Sequence, residues 1–377
     1  MVLSEFLRSA KARWLVPLGV LAVVGAGVGM GSSVAGAAPA LAPRTAAELL
    51  ASVAHATGQP LSGTVVETAD LGVPALPGGG GTSLSWQSLI TGSHTARVWY
   101  ASRDQVRVAL VGDLAESDVI RDGRDVWVWS SRDFTASHTV LPVGAARPPG
   151  ATPSIDPLAA ATQALAAIDP TTSVRVDGTA RVAGRAVYEL VLSPRTPSSL
   201  IGEIRLAIDS ETSVPLRVQV LARGSSTPAF ETGFTSISFD RPSDSVFAFT
   251  PPAGAKVTET GPLAAHAPAG VTPAVPAGSG AASARPRTIG SGWTTVVELS
   301  GVPALDLGTQ RSVGGAGSGA AALNALLRTA TPVTGSFGTG QLLRTPLLSV
   351  LLLPDGRVFA GAVTPDLLEH AASTSPR

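Results

Sequence analysis

The side chains able to do chemistry are few, and their spacing does not suit catalysis. The five histidines, His55, His94, His138, His266 and His370, include no pair at H-x-x-H or H-E-x-x-H spacing, the spacing that sets two imidazoles on one helix face to share a zinc ion. Cysteine is absent, which excludes thiolate metal sites, thiol nucleophiles, disulfides and an acylated lipoprotein cysteine. No G-x-S-x-G marks an exposed nucleophilic serine. Gly315-Ala316-Gly317-Ser318-Gly319-Ala320 has the letters of a dinucleotide fingerprint. The next acidic residue, Asp355, is too distant to hold a ribose, so this is a glycine turn into a helix. Asp113, Glu116, Asp118, Asp122 and Asp125 alternate with Arg121 and Arg124. Mixed charge of this kind marks solvated turns or a docking rim rather than carboxylates paired for acid–base work. The expectation is a protein that binds rather than catalyses, with no metal and no cofactor.

Formal net charge is zero and basic residues do not cluster, so nucleic acid is not an expected partner. Apolar residues make up 44% of the 377 residues against 14% charged, while aromatics reach only 5%. A large core is available, and it must be built from Val, Leu and Ala.

The elements that organise these side chains follow from periodicity. Thr45 and Glu48 have capping-box spacing, with Leu49, Leu50 and Val53 on one helical face behind them. From Leu61 the period becomes two, giving strands in "GTVVETADLG", "HTARVWYAS", "DQVRVALVGD" and "ESDVIRDGRDVWVWSS". Asp122-Gly123 reads as a type I′ hairpin turn. A second helix is expected over 157–168, with Leu158, Leu165 and Ile168 on its apolar side. Strands then resume up to "SVFAFTPP". In "EIRLAID" the residues Ile204, Leu206 and Ile208 oppose Glu203, Arg205 and Asp209, and in "PLRVQV" Leu216, Val218 and Val220 oppose Arg217 and Gln219. Alternation of this kind gives antiparallel strands with one dry and one wet face. About ten strands with two helices make a mainly β (α+β) unit, a large and strongly curved sheet or partial barrel.

"RDGRDVWVWSSRD" breaks the alternation, because Val126 and Val128 on one face oppose Trp127 and Trp129 on the other. The tryptophans either line a cavity or pack on the convex side against the rest of the chain. They are counted here with the cavity.

Two stretches carry a resemblance. "IDSETSVPLRVQV" (208–220) contains D-x-x-T-x-x-P-L, and "FETGFTSISFDRPSDSVFAFTPPAGAKV" (230–257) follows it. Together with "RDGRDVWVWSSRDFTASHTVLP" they resemble the bacterial lipoprotein-carrier superfamily of LolA, LolB and the LolA-like domain of RseB and MucB. The resemblance covers residues 44–257. It implies an unclosed antiparallel β-barrel whose apolar concavity holds the acyl chains of a lipid or lipoprotein without covalent chemistry, beneath helical lids. The lining it implies is Val98, Val108, Leu110, Trp127, Trp129, Tyr188, Leu190, Ile204, Leu206, Leu216 and Val218. The lids are the helices bearing Leu49, Leu50, Val53, Leu158, Leu165 and Ile168.

Residues 1–40 form an address: Arg8, Lys11 and Arg13 precede an uncharged apolar run, and Ala35-Gly36-Ala37 fits a cleavage site. A cleaved signal peptide and a retained single-helix membrane anchor both fit, and either sends the remainder out of the cytoplasm. Residues 258–287 are rich in Pro, Ala and Gly and are expected to be a disordered linker. A small α+β unit is expected over 288–373, with helices in "AAALNALLRTA" and over 365–372 and a hairpin at Asp355-Gly356. A lipid-binding domain followed by a smaller one is also the layout of RseB-like envelope-stress regulators. That alternative implies an anti-sigma-type membrane protein as partner.

Overall fold

The computed structural model describes residues 39–56, 58–70, 92–112, 115–142, 157–166, 168–260, 285–300 and 329–375. The expected N-terminal apolar run, the Gly315–Ala320 turn and most of the helix expected at "AAALNALLRTA" lie outside the described residues.

Helix α1 (Ala46–His55) starts where the capping box places it. The Thr45 hydroxyl accepts from the Glu48 amide, and the Thr45 amide donates to Glu48 Oε2 at 2.7 Å. Two amide donors at the helix start are thereby satisfied. Six antiparallel strands follow in hairpin order: β1 (Leu61–Ala69), β2 (Gly92–Ser102), β3 (Gln105–Val111), β4 (Glu116–Asp122), β5 (Asp125–Ser130) and β6 (Thr135–Val140). Helix α2 (Pro157–Ala166) precedes a second meander of β7 (Thr172–Val182), β8 (Arg185–Pro194), β9 (Ile201–Asp209), β10 (Pro215–Ala222) and β11 (Pro228–Ser238). The two meanders join where β1 pairs with β11. Strand β12 (Lys256–Thr260) then adds in parallel to β6. The result is a twelve-stranded sheet in the order β12-β6-β5-β4-β3-β2-β1-β11-β10-β9-β8-β7. Its edge strands β12 and β7 do not pair with each other, so the curved sheet is unclosed, as expected.

Two details differ from the sequence reading. Asp122 pairs with Asp125, which leaves Gly123 and Arg124 as the loop, and only Gly123 has positive φ, at 61°. Glycine at the first central position is the arrangement of a type II′ turn rather than I′. Residues 258–260 and 285–287, expected in the linker, are strand; ladder bonds to β6 and to the segment Val296–Ser300 outweigh a local composition that lacks periodicity.

The C-terminal unit is a six-stranded sheet in the order β13-β14-β18-β17-β16-β15, comprising β13 (Arg285–Ile289), β14 (Val296–Ser300), β15 (Thr331–Gly335), β16 (Gly338–Arg344), β17 (Ser349–Leu352) and β18 (Val358–Gly361). Helix α3 (Pro365–Thr374) packs on it through Leu368, Ala371 and Ala372. The β17–β18 hairpin carries Gly356 at φ 81°, at the D-G pair expected there.

Backbone bonds stitch this unit to the large sheet. The Leu200 amide donates to Ala362 O and the Thr364 amide to Ser198 O, each at 2.9 Å, around a bridge between Ser199 and Val363. The buried Trp293 indole N–H donates to Thr172 Oγ1 at 2.9 Å. Thr172→Val keeps the side-chain volume but removes this acceptor, so unfolding in urea should show a loss of about 1 kcal/mol. A change near zero would mean the indole N–H finds water there.

Candidate functional site

Cross-strand pairs fix which side chains share a face, because directly opposed residues point the same way. Following them across the sheet, Val108 pairs with Val98, Leu110 with Ala96 and Ala96 with Val65. Val65 pairs with Phe234, Glu67 with Thr232 and Ala69 with Phe230. Val218 pairs with Thr232 and Leu206, Leu206 with Leu190, Ile204 with Leu192, and Ile208 with Tyr188. One continuous apolar face therefore runs from β3 to β8, and it carries Val98, Val108, Leu110, Tyr188, Leu190, Ile204, Leu206 and Val218. Leu216 lies at an irregularity between Pro215 and Arg217, where β10 steps against β9, and is fully buried.

Both helices cover the β8–β11 half of this face. Leu49 and Val53 of α1 and Ala160, Ala161 and Ala164 of α2 join Tyr188, Leu190, Ile204, Leu206 and Val218 in one buried cluster, with Leu50, Leu165 and Ile168 packed at its margin. The Leu158 side chain lies outside the described residues. Three residues of the C-terminal unit, Trp293, Leu347 and Ala362, complete the same cluster. Val98, Val108, Leu110 and Leu216 belong to a second cluster with Val65, Ala96 and Phe234. Residues 39–44 tie α1 to the sheet. Tyr188 Oη donates to Ala42 O at 2.7 Å, Thr179 Oγ1 donates to Pro39 O at 2.8 Å, and the Arg44 guanidinium lies 5.5 Å from the Tyr188 ring centre.

Trp127 and Trp129 are not on this face. Trp127 pairs with Ile120 and Trp129 with Asp118, and the ladder continues to Arg107 and Ala109, the neighbours in sequence of Val108. On this opposite side the chain between β11 and β12 folds back over them. Phe249 lies 5.4 Å from Trp127 and 6.0 Å from Trp129, Phe247 is fully buried, and Arg107 Nη1 donates to Val246 O at 3.2 Å. The assignment to the cavity is corrected accordingly. Covering by a segment distant in sequence makes both faces of β5 apolar. His138 stacks on Trp127 at 4.2 Å, with Nε2 and Nδ1 each 2.8 Å from a carboxylate, of Asp125 and of Glu259 on β12. Burial works to lower the imidazole pKa, but those two carboxylates outweigh it and raise it.

The side opposite the helices carries the charges along β7–β10, with Val187, Val191 and Ala207 buried among them. Glu203, Arg205, Glu189, Arg217, Arg175 and Asp177 form a continuous ion-pair lattice, as the alternation required. Asp209, expected among them, is instead fully buried. Its Oδ1 accepts from the Thr212 amide at 2.8 Å, the Thr212 hydroxyl at 2.9 Å and Arg185 Nη2 at 3.0 Å. The D-x-x-T spacing of the motif is thus a turn lock, with Ser213 at φ 61° inside it. Burial alone would raise the Asp209 carboxyl, yet the bonds from Arg185 and Thr212 hold it below the usual range.

Sequence reasoning missed Glu67. It lies on the apolar face between Val65 and Ala69, is 0% exposed, and has no hydrogen-bond partner at either carboxyl oxygen. Burial pushes its pKa up to about 8. His94, opposite it on β2, is lowered to about 4, again by burial. Among the described residues no group of three His, Cys, Asp or Glu is placed to hold a metal ion, and no helix is long and apolar enough to cross a membrane.

Solved structures that match include proteins named in the sequence resemblance and others outside it. The MucA/MucB complex of Pseudomonas aeruginosa matches at 17% identity over 87% of this chain and 96% of that one, with a TM-score of 0.41. A LolA superfamily protein from Nitrosomonas europaea matches at 11% identity over 55% of this chain and 99% of that one, TM-score 0.21. LprF from Mycobacterium bovis matches at 13% identity over 51% and 91%, TM-score 0.29. No family model and no curated protein matches the chain. With TM-scores below 0.5, these likenesses carry no weight for function.

Proposed function

We propose that this is an extracytoplasmic binding protein that holds the acyl chains of a lipid or lipoprotein against the apolar face of the sheet. The observation that carries the reading is the continuous apolar face from β3 to β8, whose β8–β11 half is covered by two ten-residue helices together with Trp293, Leu347 and Ala362 of the C-terminal unit. In the form described here the roof is shut, since Leu190, Leu206 and Ile208 are completely buried. Binding then requires a lid to leave. Helix α2 contributes Ala160, Ala161 and Ala164 to the cluster, with Leu165 at its margin, and α1 contributes Leu49 and Val53; each buried methyl or methylene is worth about 0.8 kcal/mol. No covalent step is involved.

Native mass spectrometry of the protein mixed with diacylglycerol or a diacylated lipopeptide in detergent micelles tests this. A bound mass of one or two ligands is expected. Protein that stays ligand-free with both would sink the reading.

One observation favours a second role as a sensor. Trp293, Leu347 and Ala362 of the C-terminal unit are part of the same cluster as the lids. Occupancy of the face would disturb the docking of that unit, which could in turn alter its grip on an anti-sigma-type membrane partner.

A further inference from the structure

We propose that Glu67 is the polar recognition point of the apolar face, donating a hydrogen bond to the ester carbonyl of an acylated ligand. The inference rests on the lipid-binding reading above and adds the group that tells an acyl chain from a plain hydrocarbon.

The geometry singles Glu67 out. It is the one carboxyl among the described residues of the apolar face between β3 and β8, and its neighbours across and along the strands are His94, Thr232, Val65 and Ala69. Its side chain is completely buried, and neither oxygen has a partner. Buried polar groups in folded proteins are almost always bonded, and one that is not is a standing penalty on the fold. Replacement by any aliphatic residue would remove that penalty without disturbing the alternation of β1. A site that binds apolar chains needs a small number of placed polar groups to fix their orientation. An orphaned carboxyl at the centre of the face is such a group.

The protonation state decides what it can recognise. A carboxylate would accept hydrogen bonds only, whereas a protonated carboxyl can donate one. Burial keeps the proton on Glu67 at neutral pH, so the complementary ligand atom is an acceptor. In an acylated lipid or lipoprotein the acceptors next to the chains are the ester carbonyl oxygens. Among the described residues, His94 is the titratable side chain directly opposed to Glu67 on the flanking strands, and burial keeps it uncharged. Nothing charged there competes for the proton.

The test compares dioleoylglycerol with its dioleyl ether analogue, which has the chains and lacks the carbonyls, and adds a diacylated lipopeptide as a second ester source. Competition binding is read by native mass spectrometry on the wild-type chain, Glu67→Gln and Glu67→Leu. Wild type should prefer ester over ether by about tenfold, the worth of one hydrogen bond in a dry site. Glu67→Gln keeps a donor and should retain most of the preference, and Glu67→Leu should bind both equally. The tighter of the two ester ligands identifies the source. Equal binding of ester and ether by wild type, or a preference that survives in Glu67→Leu, overturns the role of Glu67 and leaves the lipid reading intact. Binding of no probe by wild type overturns the lipid reading, and this inference falls with it. Unchanged circular dichroism of Glu67→Leu separates lost recognition from lost folding.

Discussion

Glu67→Gln is expected to abolish a fall in stability of about 5 kcal/mol between pH 4.5 and pH 8. The sign follows from proton counting. In that interval the folded chain keeps the Glu67 proton, because its carboxyl titrates at about 8, while the unfolded chain has released it near 4.5. The folded state therefore binds more protons, and the free energy of unfolding decreases as pH rises, by about 1.4 kcal/mol per pH unit. His94 acts in the opposite sense. Its folded value of about 4 lies below the ordinary 6.5, so its contribution to stability rises with pH between those limits. Below pH 6.5 the slopes of Glu67 and His94 oppose each other, and above it His138, whose imidazole is raised, adds a slope of the same sign as that of Glu67. Urea unfolding of wild type and Glu67→Gln at pH 5, 6, 7 and 8 isolates the Glu67 part as the difference between the curves. The variant should gain on the wild type steadily and overtake it toward pH 8. Parallel profiles would mean that Glu67 is solvated in the folded chain.

Asp209→Ala should cost about 3 kcal/mol, the lower end of what breaking a buried ion pair does, because Arg185 is about a quarter exposed and keeps Glu211 as a second partner. The alanine removes the acceptor for the Thr212 amide and hydroxyl and for the Glu211 amide as well. Asp209→Asn separates the two roles. It keeps an acceptor for the turn and loses the charge facing Arg185, so a loss of about half that of alanine is expected. The depressed carboxyl adds a pH signature of its own. Its contribution is complete above the ordinary aspartate value of 3.8 and is lost as pH falls through the lower folded value. Guanidinium unfolding at pH 7 and at pH 3 checks both statements, and equal losses for Ala and Asn would assign the whole effect to the charge.

Alternation made most of the large sheet legible. Ile204, Leu206 and Ile208 against Glu203 and Arg205 is a pattern that only a half-wet strand produces, and the ladder places each set as the pattern requires. The capping box likewise located the start of α1 to the residue. What could not be read depends on partners far away in sequence. In β5 both residue sets are apolar, so local pattern cannot choose a face. The choice is made by Phe249, more than a hundred residues later, which packs against Trp127 and Trp129, while Val128 on the other face is 48% exposed. Glu67 escaped for a related reason. In "TVVETA" neither alternate set is purely apolar, and burial of a carboxyl is invisible until the strands on either side are known. Asp209 was assigned to the wet face because alternation says nothing about a turn that curls a side chain back beneath its own backbone.

The place where β1 meets β11 has a consequence for how the chain is assembled. The strands β1–β6 and β7–β11 are two runs of local hairpins, each able to form from neighbouring sequence. The contact joining them spans 171 residues at Thr64 and Thr235. Loop closure over such a distance comes late, because chain entropy must be given up before any ladder bond is gained. Glu67 and Thr232 lie on that late seam. The expected order is two half-shells first and the seam beside the buried carboxyl later, so a mutation such as Thr232→Val should speed unfolding more than it slows refolding in stopped-flow measurements.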